Sequence, residues 1–270
     1  MDKKLIGIGR TAEVYEYNND CILKLYYNEK EDLIKKEYNF AKYVFENNIA
    51  TPEPIEIVNI NNKCGIIFQK ITGESLLKNI LNNIFMVKIL FKKMANLHYE
   101  INKIDFNDST YTYKKYLNWA IIESKHITNN EKDKLKDYIS KLPDGNKLCH
   151  GDFHPENIIC DNDKLYIIDW MTGMQGTMAA DVARTEMILR NADIPGKASI
   201  FIKIINKISS NIVANIYLKE YCKISGIKMH DINIWKLPLY VARLHENNSK
   251  NEEEKLIKKI KILMKKQTSA

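Results

Sequence analysis

Apolar and polar positions change period along this chain, and the change divides it. Lys3 to Ile8, Ala12 to Tyr17 and Cys21 to Tyr26 are short runs of strand length with polar or glycine-bearing breaks between them. From Lys30 to Asn47 the period lengthens to that of a helix, with Leu33, Phe40, Ala41 and Val44 along one face. Cys64 to Phe68 closes this part as another strand, and Gln69-Lys70-Ile71-Thr72-Gly73 breaks it. Helical spacing then dominates, as in Val87, Leu90, Phe91, Met94, Leu97 and Ile101. The pattern predicts an α+β protein: residues 1–70 strand-rich with one main helix, residues 71–270 mostly helical, and a hinge near 69–73.

One stretch in the helical part departs from its surroundings. Asn157-Ile158-Ile159-Cys160 and Leu165-Tyr166-Ile167-Ile168 flank the polar turn Asp161-Asn162-Asp163-Lys164, which reads as a β-hairpin. At the open end of such a hairpin Asn157 meets Asp169, and Asp152 lies one short loop upstream. Taken singly, each of these is an ordinary turn or cap residue. Together they form a hard, oxygen-rich set suited to Mg²⁺ carrying a nucleotide. Alternate placement of His150, Asp152 and His154 suggests a metal-hydrolase site instead, but no further cluster with ligand spacing accompanies it, and His154 before Pro155 reads as structural. His150-Gly151-Asp152-Phe153-His154-Pro155-Glu156-Asn157 fits the H-x-D-x-x-x-x-N loop of protein kinases, in which the Asp is catalytic and the Asn and a later Asp hold metal.

That fit requires a phosphate-covering loop and a lysine upstream. Gly7-Ile8-Gly9-Arg10-Thr11-Ala12-Glu13-Val14 supplies the loop, its glycines allowing close backbone approach to phosphate. A lone G-x-G is also a plain hairpin turn. Lys24 sits inside the apolar run Cys21 to Tyr26, where a charge needs a partner or a ligand. Glu37 falls on the apolar face of the predicted helix and needs a cation, so a Lys24–Glu37 ion pair is expected.

These motifs resemble those of the aminoglycoside phosphotransferase family, small-molecule kinases of the protein-kinase-like fold. The resemblance rests on His150 to Asn157, on Ile168-Asp169-Trp170 and on Gly9-Arg10-Thr11-Ala12-Glu13-Val14-Tyr15. Gly151 stands where protein kinases have arginine, Trp170 follows the metal Asp, and no A-P-E segment follows. The resemblance implies a bilobal fold, with a small lobe of antiparallel sheet and one main helix, and a larger helical lobe carrying the catalytic loop and the hairpin. It implies Asp152 as catalytic residue, supported by His150, with Asn157 and Asp169 on Mg²⁺. Gly7, Gly9, Thr11, Ala12, Val14, Lys24 and Glu37 would serve ATP, and the backbone of Gln69, Lys70 and Ile71 its base, with GTP an alternative. Ala180-Asp181-Val182-Ala183-Arg184 is similar to the family's D-L-A motif, which gives Asp181 a role bracing the catalytic loop. A non-catalytic nucleotide binder would not need Lys24, Asp152, Asn157 and Asp169 together.

Composition narrows the rest. With 270 residues, 45% hydrophobic and 28% charged, the chain can build a sizeable core. It has no apolar run of spanning length and no signal-peptide pattern. Cys21, Cys64, Cys149, Cys160 and Cys222 lack C-x-x-C spacing and read as reduced core residues of a cytoplasmic protein. The net charge of +7 comes from lysines interleaved with acids along helices, which reads as a solvated surface and not as a nucleic-acid patch. Residues 254–266 form a basic amphipathic helix, a pattern shared by helices that lie on a membrane surface and, more often, by a last helix docking its apolar stripe, which is the reading taken. The acceptor site is expected in helices beyond Tyr111. Tyr113, Tyr116, Trp119, Trp235 and Tyr240 read either as an aromatic cage for a quaternary ammonium or as core. Glu186, Asp231, Glu246, Glu252, Glu253 and Glu254 read either as receptors for a polycation or as surface charge. His98 lies on an apolar helix face and reads as a satisfied core residue.

Overall fold

The computed structural model describes residues 4–191, 200–246 and 250–268. From the amino terminus come β1 (Leu5–Ile8), β2 (Ala12–Glu16), β3 (Cys21–Tyr26), α1 (Glu31–Glu46), β4 (Pro54–Ile60), β5 (Lys63–Gln69), β6 (Glu74–Ser75), α2 (Leu76–Asn82), α3 (Val87–Lys103), α4 (Tyr113–Glu123) and α5 (Asn129–Lys141). There follow β7 (Lys147–Cys149), β8 (Ile158–Asp161), β9 (Lys164–Ile167), β10 (Met174–Gly176), α6 (Met178–Arg190), α7 (Ile200–Ser225), α8 (Met229–Asn233), α9 (Lys236–Arg243) and α10 (Lys250–Thr268). Lys3, expected to open the first strand, lies outside the described residues. The chain divides into two compact units, residues 1–90 with 154–173, and residues 91–153 with 174–270.

The first unit is built on an antiparallel sheet of order β1-β2-β3-β5-β4. Its helix α1 starts with Glu31 and Asp32, whose charges favour the positive end of the helix, and stops where Asn48 turns to a left-handed φ of 61°. The buried face of α1 is Ile34, Glu37, Phe40, Ala41 and Val44. Ile34 takes the place expected of Leu33, which is only half-buried, because Ile34 lies one turn before Glu37 and two before Ala41. Burying each large apolar side chain on this face stabilises by about 1.5–3 kcal/mol.

The expected hairpin forms, with a shorter turn. Ile158 pairs with Ile167 and Asp161 with Lys164, leaving Asn162 and Asp163 as the turn. Asn162 accommodates it at φ 53°, a conformation asparagine tolerates better than most residues. Two residues suffice because such a tight turn matches the twist of the strands. β6 adds to this hairpin beside β8. Gly73, just before β6, permits the approach: a Cβ there would lie 2.1 Å from the Cys160 carbonyl oxygen.

In the second unit, β7 and β10 pair antiparallel, and the helices surround α6, buried from Ala179 through Met187. Thr112, Thr128 and Thr177 accept N–H groups at the starts of α4, α5 and α6. The terminal helix α10 buries Leu256 and Ile260 and packs against α9, as the amphipathic pattern suggests.

Thr51 links α1's neighbourhood to the hairpin. Its hydroxyl donates to the Ile167 carbonyl (2.7 Å) and accepts the Trp170 indole N–H (3.1 Å), all three residues being buried. Thr51→Val keeps the shape but strands both partners, and should destabilise the protein by about 1–3 kcal/mol in urea unfolding. An unchanged midpoint would contradict that role.

Candidate active site

Lys24 and Val14 are cross-strand partners on β3 and β2, so the glycine loop and the lysine are set by one register. The loop closes tightly, the Gly9 N–H donating to the Ala12 carbonyl at 2.8 Å, while the Thr11 carbonyl accepts from the Tyr27 N–H at 3.0 Å. Gly7 lies opposite Val14, and Ala12 is buried. The Lys24 ammonium donates to Glu37 Oε1 at 2.6 Å, the pair expected from periodicity, and also to Asp169 Oδ1 at 2.9 Å. Tyr26, two residues on and therefore on the same strand face, donates its hydroxyl to Glu37 Oε2 at 2.8 Å. Burial disfavours a charged Lys24, yet Glu37 and Asp169 outweigh it and hold the ammonium protonated.

Asp169 follows the last hairpin strand at φ 67°, in the left-handed region that aspartate tolerates better than most residues. Trp170 is buried behind it and anchored by Thr51, and the Asp169 side chain remains 39% exposed. Asn157 ends a short 3₁₀ turn from Pro155 and accepts the Ile168 N–H on its carbonyl at 3.0 Å, so Asn157 and Asp169 do converge at the hairpin's open end. His154 is structural: its ring accepts the Glu156 N–H and its carbonyl the Asn157 N–H. The described residues contain no group of three or more His, Cys, Asp and Glu placed to hold a metal. One carboxylate and one carboxamide instead fit Mg²⁺, a hard ion that keeps waters and binds with substrate phosphates.

The segment expected near the base is partly committed. The Gln69 N–H donates to the Glu53 carbonyl and the Lys70 N–H to the Asp20 carbonyl, while the Lys70 ammonium pairs with Glu16. The Ile71 N–H has no such bond to another described residue.

In the second unit Asp181 is fully buried and accepts five hydrogen bonds: from the N–H groups of His150 (2.7 Å) and Gly151 (2.9 Å), His98 Nε2 (2.9 Å), Asn102 Nδ2 (3.1 Å) and the Tyr113 hydroxyl (2.9 Å). Burial alone would raise its carboxyl, but His98 and the two backbone N–H groups overcome this and hold it well below the usual range. Gly151 is left-handed at φ 77°, which explains glycine at that position. His98 is the satisfied core residue its pattern suggested, its Nδ1 2.6 Å from the Tyr217 hydroxyl. Asp152, half-buried, has its N–H on His150 Nδ1 at 3.2 Å and lies 3.9 Å from Arg184 Nη2. Sequence reasoning missed the Asp169 bond to Lys24, the Tyr26 bond, and Asn102, Tyr113 and Arg184. Period-two spacing from Lys24 flags Tyr26, and the three-residue helical spacing from Asp181 flags Arg184; no local pattern flags the others.

The family model described as phosphotransferase enzyme family matches residues 4–196. The chain belongs to that family. It is accordingly an enzyme, a small-molecule kinase. No curated protein matches it by sequence. Among solved structures, aminoglycoside-3'-phosphotransferase of type VIII is 12% identical over 90% of this chain and 94% of its own, with a TM-score of 0.63. Amicoumacin kinase, solved in complex with AMP-PNP, Ca²⁺ and Ami, is 14% identical over 96% of this chain and 87% of its own, with a TM-score of 0.61. A choline/ethanolamine kinase family protein from Mesorhizobium loti is 13% identical over 98% and 88%, at 0.58. These likenesses establish a protein-kinase-like fold for this phosphotransferase.

The aromatic and acidic sets left open by the sequence sort themselves in the structure. Tyr113, Trp235 and Tyr240 are buried, Tyr113 and Trp235 meeting edge to face at 6.2 Å, so they are core and not a cage. Trp119 is 51% exposed, stacks with Tyr116 and meets His245 at a tilt of 42°. Glu186 is buried between Arg190 (2.7 Å) and Lys236 (2.6 Å), and Glu246 pairs with Arg184 and Arg243. Asp231 caps α8, Glu253 lies 3.4 Å from His126, Glu254 is exposed, and the Glu252 side chain lies outside the described residues.

Asp181→Asn should destabilise the phosphotransferase by about 3–5 kcal/mol at neutral pH, since an amide cannot accept all five bonds. The Asp181 carboxyl is depressed in the folded state. The stability gap between wild type and variant is therefore full above about pH 4, the unfolded value, and shrinks as pH falls below it. Urea unfolding of both proteins from pH 6 to pH 3 measures this; a gap that stays constant would contradict it.

Proposed function

We propose that this phosphotransferase moves the γ-phosphoryl group of ATP to a hydroxyl of a small molecule with Mg²⁺, GTP being the alternative donor. The observation that carries the reading is Lys24, a buried ammonium bonded at once to the α1 carboxylate and to the carboxylate at the hairpin's end. A structural lysine needs one counter-ion. One that bridges a buried and a half-exposed carboxylate is poised to exchange part of that contact for phosphate.

In this reading residues 1–70 bind nucleotide and 71–270 carry catalysis and the acceptor. Gly7, Gly9, Thr11, Ala12 and Val14 cover the phosphates, and Lys24, positioned by Glu37, grips them. The backbone at Gln69 to Ile71 meets the base, with the Ile71 N–H as donor. Asn157 and Asp169 hold Mg²⁺, which when bound neutralises charge on the β- and γ-phosphates. Asp152 orients the acceptor hydroxyl and accepts its proton, while His150 and Asp181 support its loop. The AMP-PNP and Ca²⁺ of the amicoumacin kinase structure support a nucleotide accompanied by a divalent cation.

An aminoglycoside is the first acceptor class to try, given the fold's neighbours. One observation favours a second, less cationic class: Glu186 and Glu246 are already neutralised by this chain's own cations. Choline, ethanolamine, homoserine, methylthioribose and fructosamines represent it.

Purified protein with Mg²⁺-ATP and a panel of these compounds, macrolides and aminoglycosides should give one phosphorylated product class by mass spectrometry. In Asp152→Asn that product should fall by about 10²–10⁴-fold. Equal product from the variant would overturn the role of Asp152, and no product from wild type across the panel would count against the acceptor classes.

A further inference from the structure

Helix α6 is buried on all sides, yet it carries Asp181, Arg184, Thr185 and Glu186. Asp181 is explained by the loop N–H groups it accepts, and Glu186 by Arg190 and Lys236. Arg184 is not explained by charge balance alone. Its position three residues after Asp181 puts both side chains on one helix face, against the same stretch of chain. There its Nε donates to the Gly151 carbonyl at 3.1 Å. α6 therefore grips Gly151 on both sides of the residue, the N–H through Asp181 and the C=O through Arg184.

The rest of the guanidinium connects that grip to the next side chain. Nη2 lies 3.9 Å from Asp152 Oδ1 and pairs with Glu246, which in turn pairs with Arg243. The result is a row of alternating charge, Asp152, Arg184, Glu246, Arg243, with Arg184 almost completely buried within it. Stability does not account for such a row, because well-packed apolar residues of similar volume are usually at least as stable as a buried ion pair. What apolar residues cannot do is bond a carbonyl and face a carboxylate from one side chain. The guanidinium fork can, through donors set at fixed angles, whereas a lysine ammonium is a point charge on a flexible stem whose donors rotate and set no angle between two partners.

We propose that Arg184 is a positioning residue that holds the Gly151 carbonyl and the Asp152 carboxylate in a single arrangement, with Glu246 anchoring the guanidinium through Nη2, the nitrogen that also faces Asp152. The role of Asp152 in transfer rests on the function proposed above. The holding of the loop does not.

The test uses Arg184→Gln and Arg184→Lys in the full chain, with two measurements. Steady-state kinetics on the acceptor found by product screening should show kcat reduced about 100-fold in both, as expected for a misplaced catalytic group, with KM for Mg²⁺-ATP within about twofold of wild type. Lysine keeps the buried charge and the fold, so failure of lysine to rescue separates positioning from charge balance. Hydrogen–deuterium exchange should show amides of His150 to Asp152 exchanging about tenfold faster in the variants, with α6 unchanged. Wild-type kcat in Arg184→Lys, a matching loss of nucleotide affinity, or unchanged exchange in the loop would each overturn the proposal. If wild type transfers phosphate to no acceptor, that result counts against the preceding function, and loop exchange alone decides the role of Arg184.

Discussion

An ion removed from water must find replacement partners or lose its charge, and that constraint shapes both units of this protein. In the first, the ammonium of Lys24 draws together a strand, a helix and the end of a hairpin, because Glu37 and Asp169 come from different elements and only the fold brings them to it. In the second, the carboxylate of Asp181 does the same for a loop, recruiting two backbone N–H groups and three side chains. Neither arrangement is the cheapest way to fill a core. Both fix chemistry-bearing segments in place, which is what a phosphoryl-transfer enzyme requires when most of its catalysis is positioning and electrostatics.

The backbone around Asp169 carries the same logic. A left-handed aspartate between a strand and a buried tryptophan is held there by its surroundings, with Trp170 tied to Thr51 and Gly173 leaving room for Phe40. The carboxylate that results is part-exposed and bonded to Lys24, and Asn157 is its neighbour at the hairpin's open end. Rigid support behind a part-exposed carboxylate, with the buried Asn157 beside it, is the arrangement on which the proposed metal-bound nucleotide rests.

Much of this was legible in the sequence because it depends on short-range periodicity. The Lys24–Glu37 pair follows from a lysine in an apolar strand and a glutamate on an apolar helix face. The convergence of Asn157 and Asp169 follows from hairpin geometry. The family's motifs located Asp181, which accepts the N–H groups of His150 and Gly151. What escaped was long-range or set by register. The bond between Lys24 and Asp169 spans 145 positions, and the one between Tyr113 and Asp181 spans 68. The hairpin turn was read two residues too long because Asp161 and Lys164 are polar, although both pair. The aromatic and acidic sets were ambiguous because composition cannot say whether a tyrosine or glutamate already has its partner inside the chain. Burial of Tyr113 and Trp235, and the ion pairs of Glu186 and Glu246, decide that only in three dimensions.

The role proposed for the carboxylate meeting Lys24 at the hairpin's end is to serve a metal-bound nucleotide. Its most direct test is the melting temperature with and without Mg²⁺-ATP, in wild type and in Asp169→Asn, a substitution that asparagine's tolerance of the left-handed conformation should let the backbone accept. Wild type should show a rise that needs both Mg²⁺ and ATP and is absent from the variant. An equal rise in both proteins, or none in wild type, would contradict it.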